Sequence, residues 1–248
     1  MKNKLIGLAA GILICTASVM ADTFPNTLWV GNDVAAAPVL NTTTTGIVLR
    51  QIDNTAALGL AIDSNKLYVN SLSGGNIYNL DTLNPVDTFT LPHPSFDMTF
   101  FGGFLWTASF GTGTIDKVDP ATGQLAGGFA VGFIPIGVTT DGAGGFWVSG
   151  FGGAGQVLRH FNTSFQPDAD IDTSDIVEGL GGLGFDPRDN TLFIGTVHKV
   201  YHYDTAGTGT DLGFFSLPDS TDPTQFVFGL EFDPAPIPEP TSIVLLEQ

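Results

Sequence analysis

Five short segments of this chain read alike: Leu28-Trp29-Val30, Leu67-Tyr68-Val69, Leu105-Trp106-Thr107, Phe146-Trp147-Val148 and Leu192-Phe193-Ile194. Their central aromatics stand 39, 38, 41 and 46 residues apart. A repeat of roughly 40 residues built from short strands marks a radial β-array. An apolar strand ending near a turn precedes four of the segments, at 58–63, 96–100, 136–141 and 180–186. A Gly/Ser-rich loop and another strand follow, at 77–81, 115–119, 156–161 and 200–204. More variable outer strands, such as 86–91 and 213–217, close the units. Four strands per unit is the blade of a β-propeller.

The ends of the array complement each other. Residues 228–233 match the first strand of a unit and lack its second. Residues 28–30 match a second strand and lack a first. The two halves are expected to share one blade, which closes the ring and removes free strand edges. The expected fold is all-β: a propeller of five four-stranded blades, with closure between the N- and C-terminal strands. No sixth unit is visible, and a β-sandwich is the competing all-β architecture.

Composition agrees with short strands and tight turns. The chain has 32 Gly and 20 Phe, and only 13% of its residues are charged. Gly permits positive φ and close strand approach, while Phe and Trp supply the area that packs one blade on the next. Asp81, Asp119 and Asp204 are expected to open turns by accepting from a backbone N–H two residues on. Asp63, Asp141, Asp186 and Asp233 are expected to do similar work at one rim.

Residues 1–21 read as a signal peptide. Lys2 and Lys4 precede an apolar run to Cys15, and Val19 and Ala21 are placed for cleavage before Asp22. The run is short for a membrane span. Ile14 stands where lipidation of Cys15 would need a very small residue. Residues 22–235 form the propeller domain and 236–248 a tail. Cleavage removes the only Cys, so the fold is expected to rest on packing and backbone pairing. The net charge is −17 before cleavage. It becomes more negative afterwards, which disfavours nucleic acid and anionic membrane surfaces.

In the tail, Pro238, Glu239 and Pro240 lead through Thr241-Ser242 into Ile243-Val244-Leu245-Leu246. This resembles the start of the PEP-CTERM sorting signal of bacterial exported proteins. The resemblance implies recognition by an exosortase-type membrane enzyme, with delivery to the cell surface or an exopolysaccharide matrix. That signal continues into a transmembrane stretch and a basic tail, whereas here Glu247-Gln248 follow four apolar residues. Either the sequence stops short of the rest, or the signal has degenerated and the protein is released. No stable span is expected within these residues.

Loops on one rim of a propeller gather ligand sites, because a rigid scaffold holds them. The loops after second strands place Asn32, Asp33, Phe110, Phe151, His198 and Lys199 there. The loops between units add His93, Phe133, Asp175 and Glu178. The ligand-binding candidates are Asp33, His93, Phe110, Phe151, Glu178 and His198. Phe110 and Phe151 are the residues that could stack on sugar rings, with blade packing as their competing use. No catalytic set is visible: His93, His160, His198 and His202 are scattered and make no metal triad. No cofactor is expected. Calcium is the one ion the sequence admits, through Asp168, Asp170 and Asp172, which alternate as in the opening of an EF-hand loop. Thr173 and Gly179 depart from that loop at its Gly and its bidentate Glu, and a solvated outer strand is the competing reading.

The strand-turn-strand pattern of Ile62-Asp63 to Leu67-Tyr68-Val69 is similar to that of extracytoplasmic propellers of the NHL and virginiamycin B lyase-like superfamily. Those lyases have more blades, and no catalytic His/Glu pair can be carried over. Inner strands offer mainly apolar residues and Thr, with Asp97 and Glu231 as exceptions. The expected function is that of an exported, non-enzymatic propeller binding a polysaccharide or surface protein. The alternative is a periplasmic or secreted lyase or hydrolase with a metal-assisted site at the ring mouth.

Overall fold

The computed structural model describes residues 26–33, 37–53, 56–217 and 225–233. The leader at 1–21 and the motif Pro238, Glu239, Pro240 lie outside the described residues. Strands β1 (Thr27–Gly31), β2 (Val39–Thr43) and β3 (Val48–Ile52) begin the chain. Next come β4 (Gly59–Asp63), β5 (Lys66–Asn70), β6 (Gly74–Asn79) and β7 (Pro85–Thr90), then β8 (Met98–Phe101), β9 (Phe104–Ser109), β10 (Thr114–Val118) and β11 (Leu125–Ala130). A further group is β12 (Ile134–Thr140), β13 (Phe146–Gly152), β14 (Gly155–Phe161) and β15 (Pro167–Asp170). The last is β16 (Leu183–Asp186), β17 (Thr191–Gly195), β18 (Lys199–Asp204) and β19 (Thr210–Ser216), followed by β20 (Gly229–Asp233).

Each of the four-strand groups β4–β7, β8–β11, β12–β15 and β16–β19 is an antiparallel meander. The single pair Leu60↔Met98 joins the first two into one eight-stranded sheet. The remaining sheet runs β20-β1-β2-β3 and is assembled from both ends of the chain. Its register sets Leu28 against Phe232, Trp29 against Glu231 and Val30 against Leu230, which is the closure expected from the half-units. The first strands pack in a circuit: β4 on β8, β8 on β12, β12 on β16, β16 on β20, and β20 back on β4. That circuit is the inner wall of a β-propeller and excludes the two-layer sandwich.

The repeated aromatics turn out to be the wedges between neighbouring sheets. Trp29 packs with Leu60 and Leu67 of the next sheet. Tyr68 packs with Met98 and Leu105, and Trp106 with Phe146 and Val148. Trp147 packs with Leu183 and Ile194, and Phe193 with Leu28 and Phe232. Each aromatic therefore points out of its own sheet into the following one, all the way round. All five are buried, Trp106 and Trp147 at 5% exposure. Burying a side chain of this size contributes several kcal/mol, on the order of 25 cal/mol per Å² of apolar surface. The sequence period is thus the period of the interfaces.

Small residues let the inner wall close tightly. A Cβ on Gly59 would stand 2.9 Å from the Phe96 carbonyl oxygen, and one on Gly229 would stand 3.2 Å from Gly59 Cα. Only glycine allows backbones this near. At the turns, Asp119 accepts from Ala121 N–H (2.8 Å) and Asp204 from Ala206 N–H (2.9 Å), as expected. Asp81 does not act in this way. Asn79, one position before the loop, takes the Asp81 and Thr82 N–H groups instead (3.1 and 2.9 Å). An amide oxygen fills the same Asx geometry, so the turn begins two residues early. Asp141 holds Ala143 and Gly145 N–H, and Asp186 holds Arg188 N–H. Asp233 departs from the expectation: its carboxylate accepts from the Trp29 indole (3.3 Å), because closure brings it against that ring.

Candidate functional site

The first strands all start at one rim, called here the mouth, and second strands end there. Phe96 immediately precedes the region of β8, Phe228 precedes β20, and Phe110 follows β9. Their rings stack in a row. Phe110 lies 4.5 Å from Phe96, Phe96 lies 4.8 Å from Phe228, and Phe228 lies 4.6 Å from Phe226, centroid to centroid. All four are half-buried. The strand between β8 and β20 in the circuit is β4, and it begins with Gly59. The close approach at that glycine is what lets rings from two non-adjacent first strands meet. Gly179, at φ +95°, continues the row. The Phe226 and Phe151 rings each come within 3.7 Å of the point where a Cβ would stand there.

Phe151 is exposed, as is neighbouring Ile134. They edge a groove of about 550 Å³ whose floor includes Phe133 and the glycines at 113, 132, 152 and 153. Of the two aromatics expected to stack on sugar rings, Phe110 packs into the row at the mouth, and Phe151 is presented to solvent. Phe96, Phe226 and Phe228 escaped the sequence reading as site residues. Their only signal is position: an aromatic just ahead of a glycine or first strand, where the chain crosses the rim.

The polar candidates are placed around this row. Asp33 clamps it, accepting from Phe226 N–H (3.2 Å) while its own N–H donates to the Phe226 carbonyl (3.4 Å). His198, at φ +60°, donates its N–H to the Gln225 carbonyl and accepts from Leu217 N–H. Glu178 binds Lys199 Nζ (2.6 Å) and the Tyr201 hydroxyl (3.3 Å). The Lys199 hydrogen bond is the main reason its carboxyl lies below the usual range. His93 Nδ1 bonds Asp116 (2.7 Å), and Asp116 is buried. Ser109 Oγ donates to the same carboxylate (2.6 Å). A nucleophilic relay needs the base between serine and acid. Here the acid lies between serine and histidine, so Ser109 directs its proton away from His93.

Asp168, Asp170 and Asp172 do not converge. Asp168 bonds His160 Nδ1 (2.6 Å), Asp170 bonds Arg159 Nε and Nη2, and Asp172 accepts from Ser174 N–H. Among the described residues no three His, Cys, Asp or Glu side chains group as a metal site, and no helix is long and apolar enough to cross a membrane. His202 is neither loop nor rim: its ring stacks on Phe193 at 4.4 Å, and burial lowers its pKa.

No family model and no curated protein matches the chain. Solved structures do. A chain of a nidogen/laminin complex aligns at TM-score 0.55 and 14% identity, over 84% of this chain and 98% of that one. A Bacteroides caccae protein of unknown function aligns at 0.58 and 10% identity, over 84% and 99%. Kuenenia stuttgartiensis hydrazine synthase aligns at 0.47 and 16%, over 65% of this chain, which spans about half the length of that one (49%). At such identities the likeness is one of fold, and what these residues assemble is a β-propeller with an aromatic mouth.

Proposed function

We propose that the chain is an exported, non-enzymatic propeller that binds a polysaccharide of the cell surface or its matrix through the phenylalanine row at the mouth. The row carries this reading. Half-buried rings stacked face to face on a rigid wall offer a preorganised apolar surface of ring edges and outer faces at low entropic cost, and the apolar faces of sugar rings pack on such surfaces. The leader and the Pro-Glu-Pro motif support export, with an exosortase-type enzyme as the processing partner. The neighbour from a nidogen/laminin complex makes a surface protein the other partner class to test.

Affinity electrophoresis through gels loaded with neutral polysaccharides tests the reading. Retardation should fall at least fivefold in Phe228→Ala and in Phe151→Ala, with folding checked by circular dichroism. Equal mobility of wild type with and without every polysaccharide tried would remove the carbohydrate reading and leave the protein partner. The enzymatic alternative rests on one observation, the His93–Asp116 bond. It gains only if the protein turns over a matrix polysaccharide and His93→Ala abolishes that turnover.

A further inference from the structure

Two acidic side chains stand inside the wall of the ring rather than on its rims. Asp97, next to the start of β8, is fully buried, and Glu231, in the middle of β20, is more than nine-tenths buried. Half of Asp97 has a structural explanation. Its Oδ2 accepts from Val138 N–H of β12 (3.1 Å) and Leu183 N–H of β16 (2.9 Å). Met98 and Leu230 N–H attract it at poorer geometry. First strands present an unpaired edge to the axis, and one carboxylate there satisfies donors from several of them.

The other half has no such account. Among the described residues, Asp97 Oδ1 and Glu231 Oε2 are buried without a hydrogen-bond partner. Among the described residues, Glu231 Oε1 receives only the Thr99 hydroxyl, at 3.4 Å. A buried carboxylate oxygen left unpaired is costly. Burial pushes both carboxyls well above the usual range, and the charge of Asp97 pushes Glu231 further. Asp97 stands near enough for its charge to act on Glu231, and a cation between the two would offset that repulsion and occupy both orphan oxygens.

We propose that Asp97 Oδ1, Glu231 Oε2 and Thr99 Oγ1 hold one divalent cation, calcium or magnesium, inside the inner wall of the ring. The donors are hard oxygens, which these ions prefer, and two carboxylates balance a charge of +2. Glu231 also lines a cavity of about 140 Å³ at the rim opposite the mouth, together with Thr139, Thr140 and Phe185. That cavity brings solvent up to the Glu231 side of the pair. The ion ties β8 to β20 across β4. The site is separate from the phenylalanine row, and its fate does not depend on the polysaccharide reading.

Wild-type protein stripped with EDTA and dialysed is titrated by calorimetry with calcium chloride and, separately, magnesium chloride, with thermal melting alongside. One equivalent should bind and Tm should rise. Glu231→Gln should lose the bound equivalent and the Tm response. Asp168→Asn combined with Asp172→Asn should keep both. Should Glu231→Gln not fold, Thr99→Val is the softer variant, expected to weaken binding at least tenfold. A stronger response to either ion supports the site and names its occupant. Absence of a stoichiometric divalent ion in wild type overturns the proposal. So does unchanged binding in the folded Glu231→Gln or Thr99→Val protein, or loss of binding in the Asp168/Asp172 variant.

Discussion

At the mouth, Phe110, Phe96, Phe228 and Phe226 stack side by side and stay half-buried. At the opposite rim, aspartates face their own turns. Asp141 takes two backbone N–H groups with one oxygen and meets His160 with the other (3.3 Å). Asp186 holds the backbone and guanidinium of Arg188. The two rims differ in how far their groups are satisfied from within. Carboxylates whose oxygens are engaged locally have little left for a ligand, whatever their charge. Aromatic rings packed only on their neighbours retain exposed surface. Satisfaction rather than residue type separates the rim with apolar surface left to offer from the rim that only turns the chain.

The hardest test of that contrast removes residues 226–233. Two rings of the row and strand β20 go together, so closure and recognition should fail as one event. The domain should lose its cooperative melt, by circular dichroism, and aggregate through the freed edge of β1. A folded product would show that the mouth is an ornament on an open array. Trp147→Ala comes next. It stands apart from the phenylalanine row, and lost burial plus a cavity should cost about 3–5 kcal/mol in urea unfolding. Asp141→Ala should cost less, about 1 kcal/mol, by releasing its turn, and should leave polysaccharide retardation unchanged. Weaker retardation in that variant would break the division between rims. The smallest effect is a slope. Burial raises the Asp233 carboxyl above its ordinary 3.8 in the folded chain, against the pull of Trp29 and Arg50. The native state therefore binds that proton more tightly than the unfolded one. Stability falls as pH rises from the ordinary carboxylate value through the raised one. Asp233→Asn should flatten that fall in melts taken across the acidic range.

The repeat made the architecture legible because a blade interface needs one large wedge per sheet. Trp29, Tyr68, Trp106, Trp147 and Phe193 therefore recur at nearly constant spacing. Closure was legible for the same reason, as two half-units each lacking the other. The site was less so. Phe110 and Phe151 lie at the ends of second strands, whose position the repeat fixes, but Phe96 and Phe228 read as ordinary strand residues. Their stacking depends on Gly59 drawing β8 and β20 together, a contact between positions far apart in the chain. Asp97 and Glu231 stood out as acidic residues in apolar strands. No sequence pattern shows that one gathers backbone N–H groups from other sheets. The turn at Asn79 was misplaced because Asn and Asp offer the same oxygen two residues apart.

The clasp between β1 and β20 also has a direction. Thr27, where β1 begins, faces Asp233, where β20 ends. Tension applied through the chain on both sides of that pair pulls the two strands apart at one end. The rungs are then loaded one after another, as a zipper is, and never all at once in shear. A protein held by one end and tugged by the other would open first at Thr27 and Asp233. Little force would be needed per step, and the remaining sheets would stay intact until the last rung, Gly31 on Gly229, let go.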